Sequence, residues 1–441
     1  MNAVAEPVQI YADGFEALQG RPVPQWLAAL RRSAFAQFVE RGFPPERHED
    51  WKYSNTRALQ KLRFSPAATQ PANVPAESYT PALLSEAPRL VFVNGVPAHG
   101  LDTMPAKVEG LRITALDLAL KESNTRIRDL LLPQALWDND PFTALNTAFL
   151  ANGMLIEVSA DAHIPEALQL IFLSAPAAAA CASHPRVILV LGANSRLTLV
   201  ESHFGLTGAA NFTNSCTQIR LGPGAQLDYL AVQREAPDDF HVSRVYVSQQ
   251  ERSRLATHVY NLGGQWVRND LRVRLEDPGA SVRMSGLYLA DRRRHVDNHT
   301  RIDHLAPDTA SDELYRGIIS DRGHAVFNGK VVVAEAAVRT DATQTNNNLL
   351  LTRNGEIDTK PELEIYADDV KCNHGATIGQ LDEQALFYLR ARGLDLATVR
   401  EILIGAFARV VAERVASPAL RRFAQAQLAT ALPQAAIEEY A

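Results

Sequence analysis

The central part of the chain alternates apolar and polar residues in short segments that are separated by turns. Four of these segments resemble one another, and they read GANSRLTLVES from Gly192, GPGAQLDYLAV from Gly222, QERSRLATHVY from Gln250 and DPGASVRMSGL from Asp277. Their first large apolar residues follow one another by 30, 28 and 27 positions, and they are Leu197, Leu227, Leu255 and Val282. This spacing indicates an internal repeat of one supersecondary unit.

A repeat of about 28 residues is typical of a coil whose turns stack on one another, because one turn alone cannot bury its apolar face. A sandwich or barrel places its turns roughly every 8–12 residues instead. Alternation within each strand lets one set of side chains point into the coil. We therefore predict a mainly β protein with a right-handed parallel β-helix core. A meandering antiparallel sandwich is the alternative that the pattern leaves open.

An asparagine run, Asn346–Asn348, directly precedes three leucines. Such a run can form stacked side-chain hydrogen bonds at a corner of a coil. A solvated loop is the other interpretation of the same residues.

Both ends of the chain show helical periodicity. One helix is predicted to begin at Pro24 and to end at Gly42, and the Ala-, Pro-, Ser- and Thr-rich residues 65–88 are typical of a linker. Near the other end, three helices are predicted to begin after the cap residues Asp382, Asp395 and Ser417. The predicted regions are an N-terminal helical region with its linker at 1–88, the β-helix core at 89–380 and a C-terminal helical domain at 381–441.

Composition and charge narrow the functional classes. The 441 residues are 46% hydrophobic and 21% charged, and 44 basic against 50 acidic side chains give a formal charge of −6. A mildly acidic chain is a poor match to nucleic acid, which binds basic surfaces. Three widely spaced cysteines indicate no disulfide framework. Because there is no signal-peptide pattern and no long apolar run, we expect a cytoplasmic location and no membrane contact.

No enzymatic motif is complete. The segment GHAVFNGK, from Gly323 to Lys330, has one residue too many for a phosphate-binding loop, and Val331 stands where the loop needs a hydroxyl. We therefore predict that the chain is not an enzyme and does not hydrolyse ATP. The alternative function is a carbohydrate-active β-helix enzyme, either a lyase or a hydrolase. Its candidate residues are four charged residues near one strand: Asp291, Arg293, Asp297 and Arg301. A solvated charged face is the simpler interpretation of the same residues.

A histidine cluster is a first candidate for metal binding. His295, His299 and His304 lie near Asp303, and imidazoles beside carboxylates can bind zinc or iron. Their spacing does not place all three imidazoles on one face of a strand. A metal site here is therefore the weaker hypothesis.

The segment DDVKCNHG at 368–375 is the stronger candidate. In an extended strand, Cys372 and His374 point the same way, and thiolate and imidazole are both ligands for iron. We expect the neighbouring Lys371 to favour the thiolate. An iron–sulfur cluster usually takes four protein ligands, so a site here needs further ligands from elsewhere. The residues alone leave open a structural cysteine beside a hydrogen-bonding histidine.

The same segment also belongs to a longer stretch that resembles a known protein family. ADDVKCNHGATIGQLDEQALFYLRARGL at 367–394 resembles the C-terminal signature of the SufB/SufD family. Similar matches are LYRGIISDRGHAVFNGKVVV from Leu314, ATQTNNNLLLT from Ala342, PELEIYADDV from Pro361 and GFPPERHEDWKYSNTRAL from Gly42. The chain is identified as a member of this family. Its few cysteines and its WKYS segment resemble the SufD branch more than the cysteine-richer SufB branch.

The resemblance implies a scaffold for iron–sulfur cluster assembly, which pairs with SufB through the β-helix cores. It also implies that the C-terminal helices bind the ATPase SufC, which holds the ATP, with five docking candidates: Phe387, Tyr388, Arg390, Ile402 and Phe407. By the same resemblance His374 lies at the SufB interface and is a candidate ligand of a transient nascent cluster, with Cys372 as a weaker candidate. A second copy of this chain is an alternative partner when SufB is absent.

Overall fold

Two parallel sheets wind through most of the chain in a computed structural model, which describes residues 6–66, 70–105, 107–122, 125–131, 140–176 and 180–432. Each coil adds one strand to each sheet. The parts of the predicted terminal regions and linker at 1–5, 67–69 and 433–441 lie outside the described residues. The predicted parallel β-helix with helices at both ends is confirmed, and the antiparallel sandwich is wrong.

The strands alternate between the two sheets along the chain. The first sheet contains, in spatial order, β4 (Leu111–Ala115), β5 (Gly153–Val158), β8 (Arg186–Leu191), β10 (Phe212–Leu221), β12 (Phe240–Gln249), β14 (Trp266–Leu275), β16 (His295–His304), β18 (His324–Val333) and β20 (Glu356–Ile365), with β1 (Ser65–Pro66) and β7 (Cys181–Ser183) beside β10. The second sheet contains β3 (Val96–Pro97), β2 (Arg89–Val93), β6 (Leu168–Ser174), β9 (Arg196–Gly205), β11 (Gln226–Arg234), β13 (Arg254–Asn261), β15 (Ser281–Ala290), β17 (Ala310–Ile319), β19 (Thr340–Leu350) and β21 (Val370–Gly379).

The repeat in the sequence corresponds to the register of the second sheet. The four apolar residues that mark the repeat are direct neighbours on successive strands: Leu197, Leu227, Leu255 and Val282. The turn before each of these strands reaches a left-handed backbone conformation at the same position, at Asn194, Gly224, Arg252 and Gly279. Asn and Gly adopt this conformation readily, whereas Arg252 is a less common choice. Turn and register therefore repeat together along the solenoid.

The interior of the solenoid is apolar in most coils and polar in a few. Asn346 and Asn348 are both buried in β19, where Asn346 donates to the Tyr288 hydroxyl oxygen at 2.9 Å and that hydroxyl donates to Asn348 at 2.6 Å. The asparagine run is thus neither a coil corner nor a solvated loop. It satisfies polar groups inside the coil, as buried polar groups require.

Short helices cover the N-terminal end and one side of the first sheet. They are α1 (Glu6–Gln19), α2 (Gln25–Arg41), α3 (Arg57–Lys61), α4 (Ala76–Tyr79), α5 (Leu116–Lys121), α6 (Thr125–Leu130) and α7 (Pro141–Ala148), with 3-10 turns at Glu49–Trp51, Thr80–Ala82 and His99–Leu101. The second helix lies where the sequence predicts it. The predicted linker is more ordered than its composition indicates, because Val74, Tyr79 and Ala82 are buried against strands β2 and β6.

Three helices follow the last coil: α8 (Glu383–Ala391), α9 (Leu396–Glu413) and α10 (Pro418–Ala431). Their predicted caps are confirmed, since Asp382, Asp395 and Ser417 accept backbone hydrogen bonds from the first turns. The helices α9 and α10 pack on the outer face of the second sheet through residues such as Val411 and Leu420. The helix α8 has no buried residue.

A buried network of charges joins the N-terminal region to the outer face of the first sheet. Arg244 pairs with Asp140 and Asp270, while Arg268 reaches Asp270 at 2.8 Å and Asp297 at 2.6 Å. Although burial alone would raise the carboxyl pKa values, the arginines hold the pKa values of Asp270 and Asp297 well below their usual range. The network therefore consists of ionised, mutually compensated groups.

Replacement of Arg268 by alanine should destabilise the fold strongly. The change leaves Asp270 and Asp297 buried with fewer compensating charges and removes a guanidinium 4.2 Å from the Trp51 ring. Breaking such a buried pair costs about 3–5 kcal/mol. We expect this loss in urea unfolding at pH 7. Arg274→Ala is the matched control on the same strand, because its pair with Glu276 is half exposed, and it should cost less than about 1 kcal/mol. Equal losses would contradict the role given to the network.

Candidate functional site

The last coil leaves the solenoid with an open end. β20 pairs only with β18, and β21 pairs only with β19, so within the described residues the outer edge of each terminal strand has no partner. Unpaired N–H and C=O groups along a strand edge are a template for pairing with another chain. The apolar side chains of this coil are exposed at Ile365, Tyr366 and Ile378.

The two terminal edges differ in how they are protected. β20 contains Pro361, which has no N–H to donate, together with charged side chains along its length. β21 has no proline and a single charged side chain, Lys371. An added Cβ atom at Gly375 or Gly379 would meet nothing within 4 Å, so the face of the strand on which these two positions lie is uncovered there. β21 is therefore the edge that is better suited to backbone pairing with a partner.

Cys372 lies on β21 with its side chain toward the interior. It is half-buried and packs with Val370 against the main core. Burial and then the charge of Asp341 raise the pKa of the Cys372 thiol. The expectation that Lys371 favours the thiolate is wrong, because the neighbouring residue in a strand points to the opposite face. Without a metal, Cys372 is a protonated thiol.

His374 shares the face of Cys372 but is exposed, because no further coil covers it. No hydrogen bond or ion pair to a described residue involves its imidazole. Its register neighbour on β19 is Gln344, which is buried and donates to Glu313 on β17 at 2.7 Å. Glu313, Gln344 and His374 thus form a polar column that runs from the interior to the open end. The sequence analysis missed Glu313 and Gln344, although the spacing of the repeat could have aligned them.

The residues proposed for a carbohydrate-active site are not brought together in an open cleft. Asp291 and Arg293 flank a turn rather than alternating on a strand, and Asp291 pairs with Arg294 at 3.2 Å. Asp297 is buried beneath the N-terminal region and accepts a hydrogen bond from Ser54. Arg301 pairs with Asp303, which lies two positions along the strand. Both acidic groups are thus bound within the chain, and neither faces a substrate cleft.

The histidine cluster of the sequence is divided between the two faces of β16. His304 is buried inside the coil and hydrogen-bonds to Thr309 and Ser311. His295 lies on the outer face beside Ser54, and burial lowers its pKa to about 3. His299 contacts Asp297 at 3.1 Å. The three imidazoles do not form one metal site.

Two other groups of residues place metal-binding atoms together. His324, Glu356 and Asp358 lie on the outer surface of the last coils, with their ligand atoms within 4.8 Å of one another. In this group the His324 imidazole already hydrogen-bonds to Asp358 at 2.8 Å. The second group is buried inside the solenoid and is described below.

The helical docking candidates occupy two environments. Phe387, Tyr388 and Arg390 are exposed on α8, and the side chain of Phe387 is 76% accessible. Ile402 is exposed on α9. Phe407 instead packs against the second sheet, with the Arg316 guanidinium 4.6 Å from its ring centroid.

The helix α9 also exposes a second large apolar side chain, Val410, besides Ile402. The helix buries the following residues: Val399, Ile404, Ala408, Val411 and Ala412.

Comparison with known proteins agrees with this architecture. The core domain model of SufBD proteins, described as SUF system FeS cluster assembly, matches residues 173–407, and the model of the SufBD N-terminal region matches residues 1–170. The chain belongs to the SufBD family of iron–sulfur cluster assembly proteins. The resemblance stated from the sequence motifs is thereby confirmed.

Individual relatives cover most of the chain. An iron–sulfur cluster assembly SufBD family protein of Synechocystis is 31% identical over 84% of each chain. The iron–sulfur cluster assembly protein SufD of Escherichia coli is 29% identical over 90% of this chain and 91% of its own. A chloroplastic protein of Arabidopsis thaliana, ABCI7, is 26% identical over 90% of this chain. Among the helices of the described residues, none has both the length and the apolar character needed to cross a membrane.

Replacement of Glu313 by glutamine should change how stability depends on pH. Burial raises the Glu313 pKa to about 7, more than the hydrogen bond from Gln344 lowers it. Between about pH 4.5 and 7 the unfolded chain therefore releases a proton that the folded protein keeps, and wild-type stability falls as pH rises. Relative to the wild type, Glu313→Gln should gain on the order of 3 kcal/mol at pH 8 and little at pH 4.

Urea unfolding across this pH range measures the effect. Glu335→Gln is the control, because that carboxylate is exposed in a turn between β18 and β19. Parallel stability curves for the wild type and Glu313→Gln would mean that Glu313 is ionised in the folded protein.

Proposed function

We propose that this chain is a non-catalytic scaffold whose open terminal coil pairs with SufB, and that a nascent iron–sulfur cluster is assembled transiently at the junction. The observation that supports this most strongly is the unpaired β21 edge, which presents His374 and Cys372 together. The cluster is the cargo of this scaffold. ATP is bound by the partner ATPase SufC, and no nucleic acid or membrane takes part.

Strand pairing at β21 accounts for both the edge and the ligands. A partner strand would satisfy the free backbone groups and cover the exposed apolar side chain of Ile378. It would also enclose His374, whose imidazole is not used within the chain. Because two side chains are too few for a cluster, the partner supplies the remaining ligands. When SufB is absent, the same edge allows pairing with a second copy of this chain.

The C-terminal helices supply a separate surface for SufC. No residue of α8 is buried, and the side chains of Phe387 and Tyr388 are exposed on it. Large aromatic residues that are exposed side by side on a helix are typical of a protein-binding surface. Arg390 and Ile402 extend this surface, whereas Phe407 anchors α9 to the solenoid.

The anchoring of α9 connects the docking surface to the solenoid. Arg414, which follows the last residue of α9, pairs with Asp312 of β17, and Arg316 of β17 donates to the Phe407 backbone oxygen at 2.8 Å. β17 lies two strands from β21 in the same sheet. Movement of SufC during its ATP cycle would therefore act on the part of the sheet that leads to the cluster ligands.

The His374→Ala variant should still form the complex but assemble less cluster. The imidazole is exposed, so its loss leaves the fold and the backbone edge unchanged, while a proposed ligand disappears. We expect normal co-purification with SufB and SufC, and a fall of at least about tenfold in cluster formed during anaerobic reconstitution with iron and sulfide, followed by absorption spectroscopy. Cys372→Ser should give a smaller loss.

Asn373→Ala is the matched control for that experiment, because Asn373 is equally exposed on the same strand and points to the opposite face. If His374→Ala yields as much cluster as Asn373→Ala, every ligand comes from SufB and this chain is only a structural platform. Failure of His374→Ala to bind SufB would instead assign the histidine to the interface itself.

The double change Phe387→Ser and Tyr388→Ser should weaken SufC binding by at least about tenfold without affecting the fold. Binding should weaken because truncation of central aromatic side chains of an interface commonly costs about 2 kcal/mol or more of binding free energy. The fold should be unaffected because both rings are exposed in the free chain. Calorimetric titration with SufC measures the affinity. Leu118→Ser is the control, since Leu118 is a large exposed apolar residue on α5, far along the sequence. Unchanged affinity would place the docking surface elsewhere.

A further inference from the structure

A histidine pair and a glutamate meet inside the solenoid, away from the open end. His203 lies near the end of β9, Glu235 follows β11, and His241 lies at the start of β12, so the three residues occupy the same corner of two successive coils. All three are at least 95% buried. Their nitrogen and oxygen ligand atoms lie within 4.8 Å of one another. No part of the proposed scaffold mechanism uses them.

The imidazoles of this corner are incompletely bonded. The Nδ1 atoms of His203 and His241 are buried without a hydrogen bond to any described residue. The Nδ1 atom of His241 approaches a Glu235 oxygen at 2.8 Å, but the approach is not aligned as a hydrogen bond. A buried nitrogen without a partner costs roughly 1–3 kcal/mol. Both nitrogens are therefore available to a ligand of a kind that the described residues do not supply.

The charge of the corner is also uncompensated. Glu235 and the nearby Glu201 are buried, and no arginine or lysine of the described residues lies within ion-pair distance of either carboxylate. On the first sheet, by contrast, each buried aspartate of the charged network is paired with Arg244 or Arg268. Burying carboxylates without a cation nearby is costly, and a divalent cation bound beside them would offset that cost.

The chemistry of the side chains fits metal binding. A carboxylate and two imidazoles, all buried and with their ligand atoms within 4.8 Å of one another, are groups that ligate divalent metals.

The local geometry leaves room for one small ion or one water molecule beside the two imidazoles. A cavity of about 20 Å³ adjoins His203, His241 and Glu201, which is enough for one water molecule. Tetrahedral ligands at about 2.1 Å from a metal lie roughly 3.4 Å apart, so movements of about 1 Å would close the set. Phe172 stacks on His203 at 4.8 Å and holds the ring in place.

We propose that His203, Glu235 and His241 bind a single divalent ion of the zinc–iron class, which joins two successive coils at their shared corner. Two imidazoles and one carboxylate are a common ligand set for such ions, and a water molecule or Glu201 completes it. The ion is a structural part of the solenoid. This site is independent of the cluster ligands proposed at the open end.

Cobalt(II) is the probe that tests the site. The full-length chain is unfolded in chelator and refolded anaerobically with Co²⁺. We expect one bound ion per chain, visible d–d absorption without a thiolate charge-transfer band, and a midpoint of thermal unfolding raised by about 2 °C or more. His203→Phe keeps a stacked ring but removes a ligand, and Glu235→Gln keeps the shape of the carboxylate. Each should weaken binding by at least about tenfold.

His258→Gln is the matched control, because His258 is a buried histidine of β13 that already hydrogen-bonds to Ser285 at 2.6 Å. It should bind cobalt like the wild type, and circular dichroism checks that each variant folds. The proposal is overturned if the refolded wild type binds no cobalt, or if His203→Phe and Glu235→Gln both bind as tightly as His258→Gln. A charge-transfer band that disappears in Cys372→Ser would place the ion at the open end instead.

Discussion

Each coil of the solenoid is held by the coil stacked on it, through backbone hydrogen bonds along both sheets and through side chains that meet inside. This dependence extends along the chain from β5 to β19, where every strand has neighbours on both sides. It ends at β20 and β21. Because a stacked architecture has no internal means of completing its last coil, the end must be capped, charged or bound by another molecule. β20 has a proline and many charged side chains, whereas β21 has no proline and a single charged side chain. The open edge of β21 is therefore the part of the solenoid that is best suited to bind another molecule.

Buried charge divides the molecule into two kinds of region. On the outer face of the first sheet, Arg244 and Arg268 compensate three aspartates and attach the N-terminal helices. Inside the coil, the carboxylates of Glu201 and Glu235 have no arginine or lysine partner among the described residues. Hydroxyl groups donate to both carboxylates, and an imidazole lies within 4 Å of each. In the proposed metal site, a divalent ion would take the place that arginine has on the first sheet.

The sequence could predict those features that repeat or that depend on neighbouring residues. The column of Leu197, Leu227, Leu255 and Val282 follows directly from the spacing, and the caps Asp382, Asp395 and Ser417 follow from local hydrogen bonding. Features that depend on contacts between coils could not be read in this way. Asn346 looks like a loop residue until Tyr288, two coils away, is placed beside it. Phe407, a docking candidate in the sequence analysis, instead packs beside Arg316 of the second sheet. Lys371 does not activate Cys372, because neighbouring residues in a strand point to opposite faces.

The two ligand candidates at the open end are unequal, and the reason is physical. His374 is exposed and has no competing hydrogen bond to the residues that the structure describes, so a metal could reach it without rearrangement of those residues. Cys372 is half-buried with a raised pKa, so it must lose a proton to become a ligand. A metal ion can drive that loss, because it competes with the proton for the sulfur atom and binds the thiolate once the site is closed to water. In the proposed scaffold, His374 would therefore be the first contact, and Cys372 would be recruited only after a partner strand has covered the edge. A cluster held in this order would be released when the edge reopens, as transient assembly requires.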